Sequence, residues 1–137
     1  MQPVRLIVVQ EDTGLKSISK AANIYNAPLA IIVCADYSIA WKRPFDGKYT
    51  TDMDASILTD HMMMEATEQG LGTIWVCYFK PDVIRKEFEL PDTLEPVNIL
   101  VIGYANEEQA SPERHDTMRI PFQHFLLPQE LPIFPYD

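Results

Sequence analysis

The chain has 137 residues, enough for one domain with its own core, and 47% of them are apolar, so a disordered chain is excluded. A formal net charge of −9 argues against a nucleic-acid partner, since no basic stripe exists to follow a phosphate backbone, although one or two local cations would still suffice for a small anionic cofactor. No apolar run is long enough to cross a bilayer, and the apolar N-terminal run is soon broken by Glu11 and Asp12, which makes a poor signal peptide.

In chain order, Val4 to Gln10 reads as a strand with hardly any alternation, hence interior in a sheet. Leu15, Ile18 and Ala22 mark one face of a short helix after Thr13, and a turn covers Asn23 to Pro28. Leu29 to Ala35 is a second continuous apolar strand. Tyr37 to Tyr49 is a loop carrying Trp41, Lys42, Arg43, Phe45, Asp46 and Gly47. It reads either as an aromatic and basic lid over a substrate, with Trp41 and Phe45 as its contacts, or as a surface loop whose Trp41 plugs into the core.

A long helix follows over Asp52–Gln69, with Thr51 and Asp54 at the spacing of an N-terminal cap. Two apolar rows recur along it: Met53, Ile57, His61 and Met64, and Ala55, Leu58, Met62 and Ala66. Apolar character on two sides implies a central or interface helix, with His61 on a buried face. Gly70 terminates it. Thr73 to Phe79 is a strand, Pro81 opens a short helix, and Val97 to Tyr104 is another strand. Asn106 to Arg119 reads as polar loop, Pro121 to Leu126 as a helical turn or two, and the tail from Pro128 as apolar but unable to form a central strand, because Pro132 and Pro135 interrupt it. Cys34 and Cys77 both lie in apolar runs, with no Cys-x-x-Cys and no Cys/His cluster, so the chain reads as a cytoplasmic protein with two buried thiols and no metal site.

In this order, Asp54-Ala-Ser-Ile, His61-Met-Met-Met-Glu-Ala, Gly70-Leu-Gly-Thr, Trp75-Val-Cys-Tyr-Phe, Gly103-Tyr-Ala and Pro112-Glu-Arg-His resemble the core of the nitroreductase family of flavin enzymes. The resemblance runs from Gln2 to His124. It implies an α+β layered fold in a single domain over residues 1–137, with a mixed, largely antiparallel sheet packed with helices. It implies FMN as cofactor, NADH or NADPH as reductant, a nitroaromatic, quinone or similar acceptor, and a homodimer with the tail crossing to the partner. Trp75 and Val76 would pack near the flavin ring, the N–H groups of Cys77 and Tyr78 would point toward its N5 edge, and Arg114 would reach its phosphate. Where many relatives have Glu-Gly, this chain has Cys77-Tyr78, which keeps a backbone donor. Gln2 and Pro3 match the end of an Asn-x-Gln-Pro segment whose Asn contacts the flavin. Relatives carry an Arg-Ser-x-Arg stretch and a helix upstream of Gln2, so the chain reads as the C-terminal portion of such a protein. The expectation is therefore an FMN-dependent oxidoreductase that binds FMN weakly, or, as an alternative, a non-catalytic truncated nitroreductase-like protein or partner subunit with weak or no flavin binding.

Overall fold

The structure is a computed structural model that describes residues 2–106, 111, 113–121 and 124. The chain forms two compact units, Met1–Ala105 and Asn106–Asp137. In the first, the elements are β1 (Val4–Val9), α1 (Asp12–Ser19), β2 (Leu29–Asp36), α2 (Thr51–Glu68), β3 (Gly72–Val76), α3 (Pro81–Glu87) and β4 (Leu94–Gly103). In the second, α4 (Arg114–Met118) is a single short helix where the polar sequence reads as loop.

The four strands form one sheet in the order β1-β2-β4-β3, and every described pairing is antiparallel. β2 and β4 are interior, and both carry the continuous apolar character of strands covered on two faces. Alternate residues serve different cores. Ile32, Cys34, Ile99, Val101 and Val76 face α1 and α3, where Ile18 and Ile84 are fully buried. Leu29, Ile31, Leu100 and Ile102 face α2, through Met62, Met63 and Ala66. The first unit is thus three layers, with each fully buried aliphatic side chain contributing about 1.5–3 kcal/mol.

Several boundaries differ from the sequence reading. The strand at Val4 is an edge strand among the described residues, not an interior one, because Leu6 and Val8 are exposed on the α2 side and not buried on both faces. β3 ends at Val76, before Phe79, and β4 begins at Leu94, before Val97. Pro96 explains the second difference. It has no N–H for an interior ladder, and the β2–β4 register shifts beside it, from Val33↔Asn98 to Cys34↔Pro96, so that Val97 is the extra residue of a bulge.

The cap of α2 is Thr50, not Thr51, which is instead buried. At the other end Gly70 adopts φ +74°, the Leu71 N–H donates to the Ala66 carbonyl at 2.9 Å, and the Gly70 N–H donates to that of Thr67 at 2.9 Å. This paired closure satisfies carbonyls that the helix leaves open and aims the chain directly into β3. His61 is exposed, because only the row through Ala55, Thr59 and Ala66 lies fully against the sheet.

One polar contact crosses that interface. Asn98 of β4 is 1% exposed, and its Nδ2 donates to Thr59 Oγ1 at 3.1 Å. The Thr59 hydroxyl lies 2.8 Å from the Ala55 carbonyl, to which it can donate in turn. Thr59→Val keeps the shape and removes the oxygen, which strands a buried amide. Urea unfolding should show a loss of about 1–3 kcal/mol, with Thr59→Ser clearly milder.

Candidate functional site

Strand direction decides which loops meet. β2 and β3 both run antiparallel to β4, and so are parallel to one another; β1 runs antiparallel to β2. The start of β1, the exit of β2 and the exit of β3 therefore lie toward the same end of the sheet. That end gathers Gln2 and Pro3, the segment holding Trp41 and Phe45, and Cys77 and Tyr78. The join between β1 and β2 is direct, since the Asp36 N–H donates to the Pro3 carbonyl at 2.6 Å. Pro3 is buried and Gln2 exposed. β3 stops at Val76, opposite Ile99, while β2 continues four residues beyond Ile32, the partner of Ile99 on its other side. The sheet is thus stepped by roughly 13 Å at this end.

Past the step the chain turns sharply. Val76 is buried toward α1 and α3, Phe79 packs into the same core, and the Lys80 N–H donates to the Ala21 carbonyl at 3.0 Å. Between these anchors Cys77 and Tyr78 are pushed outward, and Tyr78 is 97% exposed. Neither of their N–H groups has an acceptor among the described residues. Two exposed amide donors at the open end of a strand suit an acceptor-rich edge of a ligand. Trp75 lies opposite Leu100, on the α2 side, half-buried, with its Nε1 enclosed and without a partner among the described residues.

The two thiols differ. Cys34 is buried, as the sequence indicates, and its thiol is pushed up to about 11, first by burial, against the opposing pull of the Arg85 guanidinium. Cys77 is exposed, contrary to expectation, because β3 ends one residue earlier.

The segment after β2 is not a loose loop. Lys42 and Tyr49 form a β-bridge, the Arg43 N–H donates to the Lys48 carbonyl at 2.9 Å, and the Gly47 N–H donates to the Arg43 carbonyl at 2.8 Å with Gly47 at φ +72°. The Arg43 guanidinium grips the Asp46 carboxylate through two nitrogens, which holds that carboxyl below its ordinary range. Tyr37 meets Tyr49 edge-to-face at 5.0 Å, and the Lys42 ammonium lies 5.3 Å from the Tyr49 ring centre. Trp41 is exposed and Phe45 is 97% exposed, so Trp41 does not plug into the core. The Asp46-Gly47 pair was the available sequence signal for this tight turn.

Arg114 opens α4 in the second unit and is exposed. The tail from Pro128 lies outside the described residues. Among the described residues there is no cluster of three or more His, Cys, Asp or Glu able to hold a metal, and no helix long and apolar enough to cross a membrane.

Residues 8–104 match the model of the nitroreductase family. A crystal structure of a nitroreductase family protein from Clostridium difficile is 58% identical, with a TM-score of 0.90 over 94% of this chain and 75% of that one. An FMN-dependent nitroreductase from another strain of that species is 26% identical, with a TM-score of 0.67 over 89% of this chain and 76% of that one. A Methanothermobacter thermautotrophicus protein, provisionally named an NADH dehydrogenase/NAD(P)H nitroreductase, is 28% identical over 127 residues, which is 87% of this chain and 64% of that protein. This chain thus spans a little under two thirds of that curated relative.

The contrast between the thiols is directly measurable. In the native protein a thiol-disulfide reagent at pH 8 should titrate one sulfur, Cys77, and unfolding in guanidinium should release the second. Two rapid equivalents in the native state would place Cys34 at the surface.

Proposed function

Because the chain belongs to the nitroreductase family, we propose that it forms a single nitroreductase-like domain acting in the cytoplasm as an FMN-dependent oxidoreductase, which moves hydride from NADH or NADPH to a nitroaromatic, quinone or similar acceptor. The observation that carries the reading is the pair of N–H groups of Cys77 and Tyr78, without acceptors among the described residues, at the stepped end of the sheet. The FMN-dependent nitroreductase among the similar structures supports the choice of flavin.

These residues fit a flavin. Its ring edge is rich in acceptors, and the two amides are donors already fixed by the Val76 and Lys80 anchors. When bound, FMN supplies the two-electron carrier. The chain's own contribution is to hold and tune it. The Cys77 and Tyr78 N–H groups donate to the ring edge, Gln2 and Pro3 flank it at the same end, and Trp75 and Val76 lie near the ring. Arg114 takes the phosphate, since a guanidinium donates two parallel bonds to an oxyanion. Trp41 and Phe45 contact the substrate. The homodimer forms on the outer row of α2, where Met53, Ile57 and Met64 are all exposed.

Cys77→Ala keeps the backbone donor and should leave FMN binding intact. Cys77→Pro removes the donor and should weaken binding and lower any reductase rate by roughly 10²–10³-fold, provided its flavin-free melting curve shows a folded protein. Loss of binding in Cys77→Ala would contradict the backbone assignment. Arg114→Ala should weaken FMN binding by about ten- to a hundred-fold, read by quenching of flavin fluorescence on titration with protein. Ile57→Lys should shift a sedimentation profile from dimer to monomer without changing the circular dichroism, and an unchanged dimer would remove α2 from the interface.

A further inference from the structure

The chain is strongly acidic, yet three of its eleven basic residues, Lys42, Arg43 and Lys48, sit within the hairpin between Trp41 and Tyr49, against the single carboxylate of Asp46. Arg43 is spent on Asp46 and builds the turn. Lys42 lies over the Tyr49 ring and is still exposed, and the Lys48 ammonium makes no ion pair among the described residues. At the tip, Phe45 is 97% exposed on a backbone held by the Gly47–Arg43 and Arg43–Lys48 hydrogen bonds. A phenyl ring carried into water on a hydrogen-bonded turn, with two exposed lysines on the same hairpin, is a surface for a flat ring that carries negative charge. The ring gains stacking without much ordering cost, and the cations attract an anion that the rest of the protein repels.

We propose that the Trp41–Tyr49 hairpin is a recognition arm for aromatic anions, with Phe45 stacking on the ring and Lys42 and Lys48 taking the charge. This deepens the reading of Trp41 and Phe45 as substrate contacts and rests on that reading for its place in the reaction. Two ligands share the chemistry: the phosphate-bearing adenosine end of a dinucleotide reductant, and an acidic aromatic acceptor. Both would come to the arm that leaves the same end of the sheet as Cys77 and Tyr78.

The test is titration calorimetry of the full chain with adenosine 2′,5′-bisphosphate and with 4-nitrobenzoate, each beside its uncharged counterpart, adenosine and nitrobenzene. At least one anion should bind more tightly than its neutral partner, and which one does so identifies the source. Raising salt from 20 to 200 mM should weaken that binding. Lys48→Gln should weaken the anion several-fold while leaving the neutral ring unchanged, and Phe45→Ala should weaken both. Both side chains are exposed, so the variants should melt with the parent. Equal affinity of the anions and their neutral partners, or anion binding indifferent to both substitutions, overturns the proposal. The titration needs no flavin, so a chain that binds FMN but shows no preference for anions loses only the arm, and one that prefers anions but binds no FMN loses only the flavin reading.

Discussion

The antiparallel pairing of β2 with β4 is the constraint from which most of this structure follows. Both strands are buried on two faces, so both faces of the sheet need helical cover: α1 and α3 on one side, α2 on the other. The same pairing sets direction. With β4 fixed, β2 and β3 must exit at one end, and the chain segments after them must share it. Residues far apart in sequence, such as Phe45 and Tyr78, follow strands that exit at one end of the sheet through strand polarity alone, before any side chain makes a specific contact.

The two ends of the sheet are finished in different ways. Where α2 passes into β3, the Gly70 closure leaves little freedom; away from that end, the buried Thr59–Asn98 contact resists sliding of the helix along the sheet, because a shifted register would leave the amide without a partner. At the opposite end β3 stops early, amide donors remain open, and a hairpin stiffened by an ion pair and aromatic packing carries its apolar tip into solvent. Exposed amide donors are satisfied by water until a ligand takes its place, and their concentration with exposed rings at one end is what supports the proposed ligand site there.

The layered α+β architecture was legible in the sequence because β2 and β4 are long unalternating apolar runs and because α2 repeats with helical period before a glycine stop. The family resemblance rested on the same stretch. What escaped notice depends on partners distant in sequence. Val4 to Val9 is as apolar as an interior strand, and only the pairing order makes it an edge. Cys77 and His61 read as buried because their neighbours are apolar, yet both are exposed, one just past a strand end and the other on α2. The strand read from Val97 begins at Leu94, since a bulge that accommodates Pro96 is visible only in the register with β2. The N–H groups of Cys77 and Tyr78 enter the reading through the resemblance alone, and the rigidity of the hairpin enters it from neither source, because it arises from contacts among Arg43, Asp46, Tyr37 and Tyr49 that no periodicity encodes.

The central claim is that a flavin sits at the end of the sheet where β2 and β3 exit. Amide NMR of the isotopically labelled chain during titration with FMN tests it most directly. With the flavin at this end, the largest shifts should fall on Cys77 and Tyr78, with smaller ones at Gln2 and the residues around Asp36. Shifts confined to the opposite end, around Val9, Leu29 and Gly103, or to the groove of about 380 Å³ lined by Ile31, Met62 and Leu71, would contradict it.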